Sequence, residues 1–176
     1  MVFCNIDGEL ITIIQKYAKN RTIIDVGCGD GLLGSFLPKV VSIDFIKYYT
    51  QLINKIIIMN IKDFPFVSNY FPVLLRPSHG MLVPDTLAAA LQGKVTNCLL
   101  VSHPKNINDI PVDYAYQQIE NNWTGNNGEK VYLITLNENI NKKELKKFVR
   151  ITHNSYPVDK KNINSLWVME DTKEDH

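Results

Sequence analysis

Three glycines on alternate positions, Gly27, Gly29 and Gly31, follow directly on the β-branched stretch Thr22-Ile23-Ile24-Asp25-Val26, and this junction restricts the fold more than any other part of the 176-residue chain. A short run of that branching reads as a buried strand. Glycine lets the backbone leave such a strand through a sharp turn and approach a ligand with no Cβ in between. Leu32, Leu33, Phe36 and Leu37 then recur at helical spacing until Pro38 ends the run. The order is therefore strand, glycine turn, short helix, with the helix amides and the positive end of its dipole directed back at the turn.

The same alternation continues along the chain. Asp7 is placed to cap a first helix over residues 8–19, where Leu10, Ile13, Ile14 and Tyr17 share a face. Val40-Val41-Ser42-Ile43 reads as the second strand, Phe45 to Lys55 as the second helix and Ile56 to Met59 as the third strand. Pro72-Val73-Leu74-Leu75 reads as a fourth strand with the proline at its start, where a missing amide costs least. Pro84 to Gln92 reads as a helix with Pro84 in its first turn and Gly93 at its C-terminal cap. Thr96 to Val101, Val131 to Leu136 and Ser165 to Met169 complete the strands. Residues 102–129 read as loops around a helix at Tyr114 to Asn121, with Trp123 to Gly128 either a lid or a plain turn. Lys142 to Val149 reads as a basic amphipathic helix, either a solvated face or a contact for an acidic partner such as RNA. The pattern predicts an α/β protein with a mostly parallel sheet of about seven strands, one domain over residues 1–170 and a frayed tail over 171–176.

Composition removes several functional classes. Nineteen Lys and Arg against 18 Asp and Glu leave a net charge of +1, too little for strong general attraction to nucleic acid or an anionic membrane. Cys4, Cys28 and Cys98 are an odd number at wide spacing and are expected as buried thiols in a reducing compartment. The N-terminus lacks the basic start and apolar stretch of a secretion signal, and the longest apolar runs are strand-sized, so no membrane association and a cytoplasmic location are expected. No His/Cys or carboxylate spacing suggests a metal site.

The second strand closes on Ile43-Asp44, and an acid there can accept hydrogen bonds from the two hydroxyls of a ribose. Gly29, Gly31 and Gly34 satisfy the dinucleotide fingerprint by letter, but the strand already ends at Gly27. Asp25 and Asp30 would also repel a pyrophosphate and attract a cationic ligand end. A nicotinamide-dependent dehydrogenase therefore ranks behind a nucleoside ligand that carries positive charge.

Asp25-Val26-Gly27-Cys28-Gly29-Asp30-Gly31 resembles the first motif of the class I S-adenosylmethionine-dependent methyltransferases, and Asp44 resembles the acid that closes their second strand. Met59-Asn60-Ile61-Lys62-Asp63-Phe64-Pro65-Phe66 is similar to the stretch after their third strand, with Asn60 where an acid meets the adenine amine. The resemblance covers roughly residues 20–75 and implies a Rossmann-like three-layer sandwich that takes S-adenosylmethionine as cofactor. It assigns Asp25, Gly27, Gly29 and Gly31 to the methionine end, Asp44 to the ribose, and Asn60 and Ile61 to the adenine, with Cys28 and Phe45 as further cofactor-binding residues. The chain departs from the family at Pro72, where an acid is common, and in lacking the Asn/Asp-Pro-Pro-Tyr motif, which Leu75-Arg76-Pro77-Ser78-His79-Gly80 replaces.

Ligands of open α/β sheets bind outside the carboxyl ends of the strands, which selects the segments after the fourth and fifth. His79 is the candidate base, and Arg76, Ser78 and His103, near Ser102 and Lys105, are candidate substrate contacts; each histidine is alternatively a solvated loop residue. Methyl transfer requires no base, because alignment of the nucleophile and exclusion of water supply most of the effect. The expected activity is methyl transfer to a small molecule, RNA or protein, with oligomeric state open. The other reading, supported by Pro72 and the missing motif, is a non-catalytic module that binds S-adenosylmethionine, a nucleoside or a partner protein on the same fold.

Overall fold

Leu10, Ile14 and Ala18 recur on one side of helix α1 (Gly8–Ala18) and are buried, as the 3.6-residue period requires of a helix lying on a sheet. They rest on Ile23 of β1 (Thr22–Val26) and on Phe71 and Val73 of β4 (Tyr70–Leu74), joined by Leu33 of the short helix α2 (Leu32–Ser35) and by Leu37. The alternate residues Ile24, Val26 and Leu74 face the other way. They meet Ile61 of a 3-10 turn (Ile61–Asp63) and Leu87, Ala89 and Ala90 of helix α3 (Leu82–Gln92). Ile43 of β2 (Val40–Asp44) joins this second cluster. Helices thus cover both faces of a central sheet, giving three layers.

The computed structural model describes residues 6, 8–47, 53, 55–75, 82–95, 99–102, 131–135, 148–152 and 165–169, with the backbone alone in the last four stretches and at Val83. The remaining strands are β3 (Ile57–Ile58), β5 (Leu99–Ser102), β6 (Val131–Thr135), β7 (Phe148–Thr152) and β8 (Ser165–Met169). Among the described residues, one sheet of eight strands runs in the order β3-β2-β1-β4-β5-β6-β8-β7. Every pair from β3 to β6 is parallel, while β8 lies antiparallel to both β6 and β7. The chain moves outward from β1 through β2 to β3 and then returns to β4 on the other side of β1, so the strand order reverses there. No helix among the described residues is long and apolar enough to cross a membrane.

Several boundaries differ from the sequence expectation, each for a local reason. β4 begins at Tyr70, two residues before Pro72, which lies inside the strand opposite Ile24; the ladder to β5 starts only at Val73. The helix expected over Phe45 to Lys55 does not start at Phe45, because the Ile46 amide donates to Asp44 Oδ1 at 3.1 Å and bends the chain. Ile53 and Lys55 are not helical either, and most of the residues between lie outside the description. The basic helix expected to reach Val149 is replaced at its end by β7, whose Phe148 and Val149 pair with Met169 and Val168; its earlier residues, the Asp7 cap, the helix at 114–121 and the loop at 123–128 lie outside the described residues.

The left-handed cap of α3 falls one residue beyond the glycine expected to hold it. The Lys94 amide donates to the Leu91 carbonyl and the Val95 amide to that of Ala90, the paired bonds of a helix end that needs one left-handed residue. That residue is Lys94, at φ 59, and not Gly93. Gly93 is instead required by proximity, since a Cβ on it would stand 2.2 Å from the Phe66 carbonyl oxygen. Lys94→Gly is therefore expected to stabilise the protein by about 0.5–1 kcal/mol in urea denaturation, by removing the cost of a left-handed side chain. Gly93→Ala is expected to destabilise it by about 1–3 kcal/mol through overpacking. Equal effects of the two would contradict this assignment of roles.

Candidate functional site

All three alternate glycines adopt left-handed backbone, with φ of 66 at Gly27, 62 at Gly29 and 89 at Gly31. A side chain at any of them is strained, which explains the spacing in steric terms. The turn is anchored to β2 by two bonds. The Cys28 amide donates to the Ile43 carbonyl at 3.0 Å, and the Gly29 amide to Asp44 Oδ2 at 2.9 Å. Asp30 Oδ1 accepts from the Leu32 amide at 3.2 Å and so steadies the first turn of α2.

Asp44 is only 6% exposed. Besides Gly29, its carboxylate accepts from the Ile46 amide through Oδ1, and its own carbonyl accepts from the Met59 amide at 2.9 Å. A carboxylate offers about four lone-pair positions, so two backbone donors leave roughly two for a ligand. Asp44 also lines a crevice of about 190 Å³ outside the carboxyl ends of β1 and β2. Val26 and Gly27 line it together with Ile43, Asp44 and half-exposed Phe45, as do Met59, Asn60 and Ile61 beyond β3. Leu82 and Asp85 close it from the first turn of α3. The lining among the described residues is mostly apolar, and its charged members are both carboxylates, with no lysine or arginine. Such a surface disfavours a pyrophosphate and suits a neutral or cationic ligand.

The crevice collects Gly27, Asp44, Phe45, Asn60 and Ile61 of the candidate ligand residues. Asp25, Cys28, Gly29 and Gly31 stand beside it, not in its lining. Asp25 is buried within β1, opposite Ser42 of β2. Buried Cys28 directs its thiol to the Gly29 carbonyl at 3.6 Å. Gly31 lies under Ile53, whose Cγ1 would be 2.7 Å from a Cβ at that position, so its smallness also serves packing. Asn60 is exposed and caps the 3-10 turn, its Oδ1 accepting from the Lys62 amide at 3.2 Å.

No family model matches the chain, and no curated protein matches it. Among solved structures, TrmN from Thermus thermophilus aligns over 92% of this chain at 11% identity and a TM-score of 0.41. The chain spans about half of that structure, 48% of its length. A correspondence this loose carries no argument about function, which rests here on the chain's own residues.

His79, Arg76, Ser78 and His103 lie outside the described residues, as does Lys105. The chain does leave β4 after Leu74 and β5 after Ser102 at the same sheet edge as the crevice, because these strands are parallel to β1. Sequence reasoning did not name Val26, Ile43 or Met59 as site residues, although they adjoin ones it did, and it missed the distant Leu82 and Asp85 altogether. Their signal was an acid in the first turn of the helix that follows β4, which helix-dipole stabilisation already accounts for.

Asp44→Asn keeps one acceptor oxygen and is expected to cost about 1–2 kcal/mol in urea denaturation. Asp44→Ala abandons both amides, that of Gly29 buried and that of Ile46 partly so, and is expected to cost about 3 kcal/mol. An Asp44→Ala protein as stable as the parent would remove the anchoring role.

Proposed function

We propose that this protein is an S-adenosylmethionine-dependent methyltransferase whose acceptor is unidentified. The reading is carried by Asp44, a carboxylate tied to the glycine turn that retains acceptor capacity at the crevice. Two vicinal ribose hydroxyls match two remaining lone-pair positions. When bound, the cofactor supplies a methyl group on a positively charged sulfur, a good leaving group.

The chain's own residues supply the rest. Gly27 presents bare backbone to the crevice in a left-handed conformation that side chains rarely adopt. Phe45, Met59, Ile61 and Leu82 offer apolar surface to a flat base and exclude water from it. Asp25 and Asp30 add negative charge near the turn, which favours an amino group and a sulfonium over a phosphate. In this reading His79 accepts a proton where the acceptor carries one, and Arg76, Ser78 and His103 contact the substrate.

In calorimetry the full chain is expected to bind S-adenosylhomocysteine, and to bind its 2′,3′-dideoxy analogue at least about tenfold more weakly. Asp44→Asn should narrow that gap while its circular dichroism spectrum stays that of the parent. Equal binding of the two ligands by the parent would refute the ribose role. Incubation with methyl-labelled cofactor and fractionated cell extract should yield a labelled product; binding without any product would favour the non-catalytic module instead.

A further inference from the structure

A second hollow, of about 430 Å³, opens at the amino ends of β1 and β2, so these strands, each roughly 17 Å long, separate it from the crevice. Its volume is in the range of about 300–1,000 Å³ that small-molecule sites occupy. Buried Ala18, Ile23 and Leu37 contribute apolar surface, and among the described residues its charged members are Arg21 and Lys39, with no carboxylate in the lining. Both cations are held in place. The Arg21 guanidinium donates to the Ala18 and Tyr17 carbonyls and stands over the Phe71 ring, while the Lys39 ammonium donates to the Asn20 carbonyl at 2.9 Å. The Lys39 carbonyl in turn accepts from the Ile23 amide at 3.0 Å, which ties the start of β2 to that of β1. Lys19 and Asn20 adopt consecutive left-handed conformations, with φ of 51 and 65, and this costly bend leads into the carbonyl that Lys39 meets.

We propose that this hollow is a binding site for a small phosphorylated ligand with an apolar body, separate from the nucleoside crevice. Magnitudes favour an anion there. The end of α1 carries the equivalent of about half a negative charge, whereas Arg21 and Lys39 bring two full positive ones. Lys16 in the last turn of α1 and Lys19 just after it add to the same field. An ammonium has three donors, and the Asn20 carbonyl takes one of those on Lys39, so two remain for phosphate oxygens. A phosphate monoester is close to doubly charged at neutral pH and carries three strong acceptor oxygens, so it engages two fixed cations better than a single carboxylate does. Ala18, Ile23 and Leu37 then cover the ester group, which inorganic phosphate lacks. Side chains already held by the fold lose little rotamer freedom on binding.

The test is titration of the isotope-labelled full chain with phenyl phosphate, followed through its amide NMR spectrum in a phosphate-free buffer of low ionic strength. Saturable shifts are expected to cluster on Asn20, Arg21, Ile23 and Lys39. Inorganic phosphate should bind at least about threefold more weakly, and uncharged phenol should give no saturable shift. Lys39→Gln, a change at an exposed position, should weaken phenyl phosphate about three- to tenfold, and Lys39→Glu should abolish the saturable shifts. Lys62→Gln, in the exposed 3-10 turn, should keep the affinity of the parent. The dispersion of each spectrum reports that the variant is folded. Absence of saturable shifts at these amides in the parent, binding by Lys39→Gln as tight as the parent's, or inorganic phosphate as tight as phenyl phosphate would overturn the proposal.

Discussion

The carboxylate of Asp44 fastens together parts of the chain that local structure alone would leave apart. One oxygen takes the amide of Gly29 in the turn after β1, the other takes Ile46, and its main-chain carbonyl takes Met59 beyond β3. Hydrogen bonds to a charged acceptor contribute about 1.5–3 kcal/mol each and offset the desolvation of a residue this buried. Because the three glycines hold left-handed backbone, the turn has no sterically cheap alternative with side chains added. The result is a rigid ledge along the carboxyl edge of β1 and β2, and the crevice lies against it.

The opposite edge of the sheet serves stability. Arg21 donates through Nε to the Ala18 carbonyl at 2.9 Å and through an Nη to that of Tyr17 at 2.7 Å, satisfying the end of α1. Its guanidinium also stands 4.9 Å from the ring centre of fully buried Phe71. Lys39 reaches the Asn20 carbonyl at 2.9 Å beside it. Two cationic groups therefore meet carbonyls at and just beyond the end of α1, while the charged residues lining the crevice are carboxylates.

Local sterics made much of this readable in the primary structure. Gly27, Gly29 and Gly31 follow a β-branched strand, and only left-handed turns explain that spacing economically. The periodicity of Leu10 and Ile14 and the branching of Thr22 to Val26 and Val40 to Ile43 are properties of neighbouring residues, so helix, strands and parallel class followed from them. Asp44 was legible as a strand-end acid, although its bond to Gly29 was not.

Contacts between distant segments were invisible to such reasoning. Phe66 brings its carbonyl so close to Gly93 that no Cβ fits there, and the left-handed cap falls on Lys94, neither of which local preference encodes. Pro72 looked like the first residue of a strand, yet Tyr70 and Phe71 pair with β1 before it, because partner strands rather than propensity set where a ladder starts. Phe148 and Val149 took strand form only because β8 offered them a partner. Asp85 is an ordinary helix-start acid in one dimension, and folding brings it into the lining of the same crevice as Asn60. Periodicity and steric limits act between near neighbours and can be read along a chain; pairing, close approach and the gathering of acceptors exist only once the layers are packed.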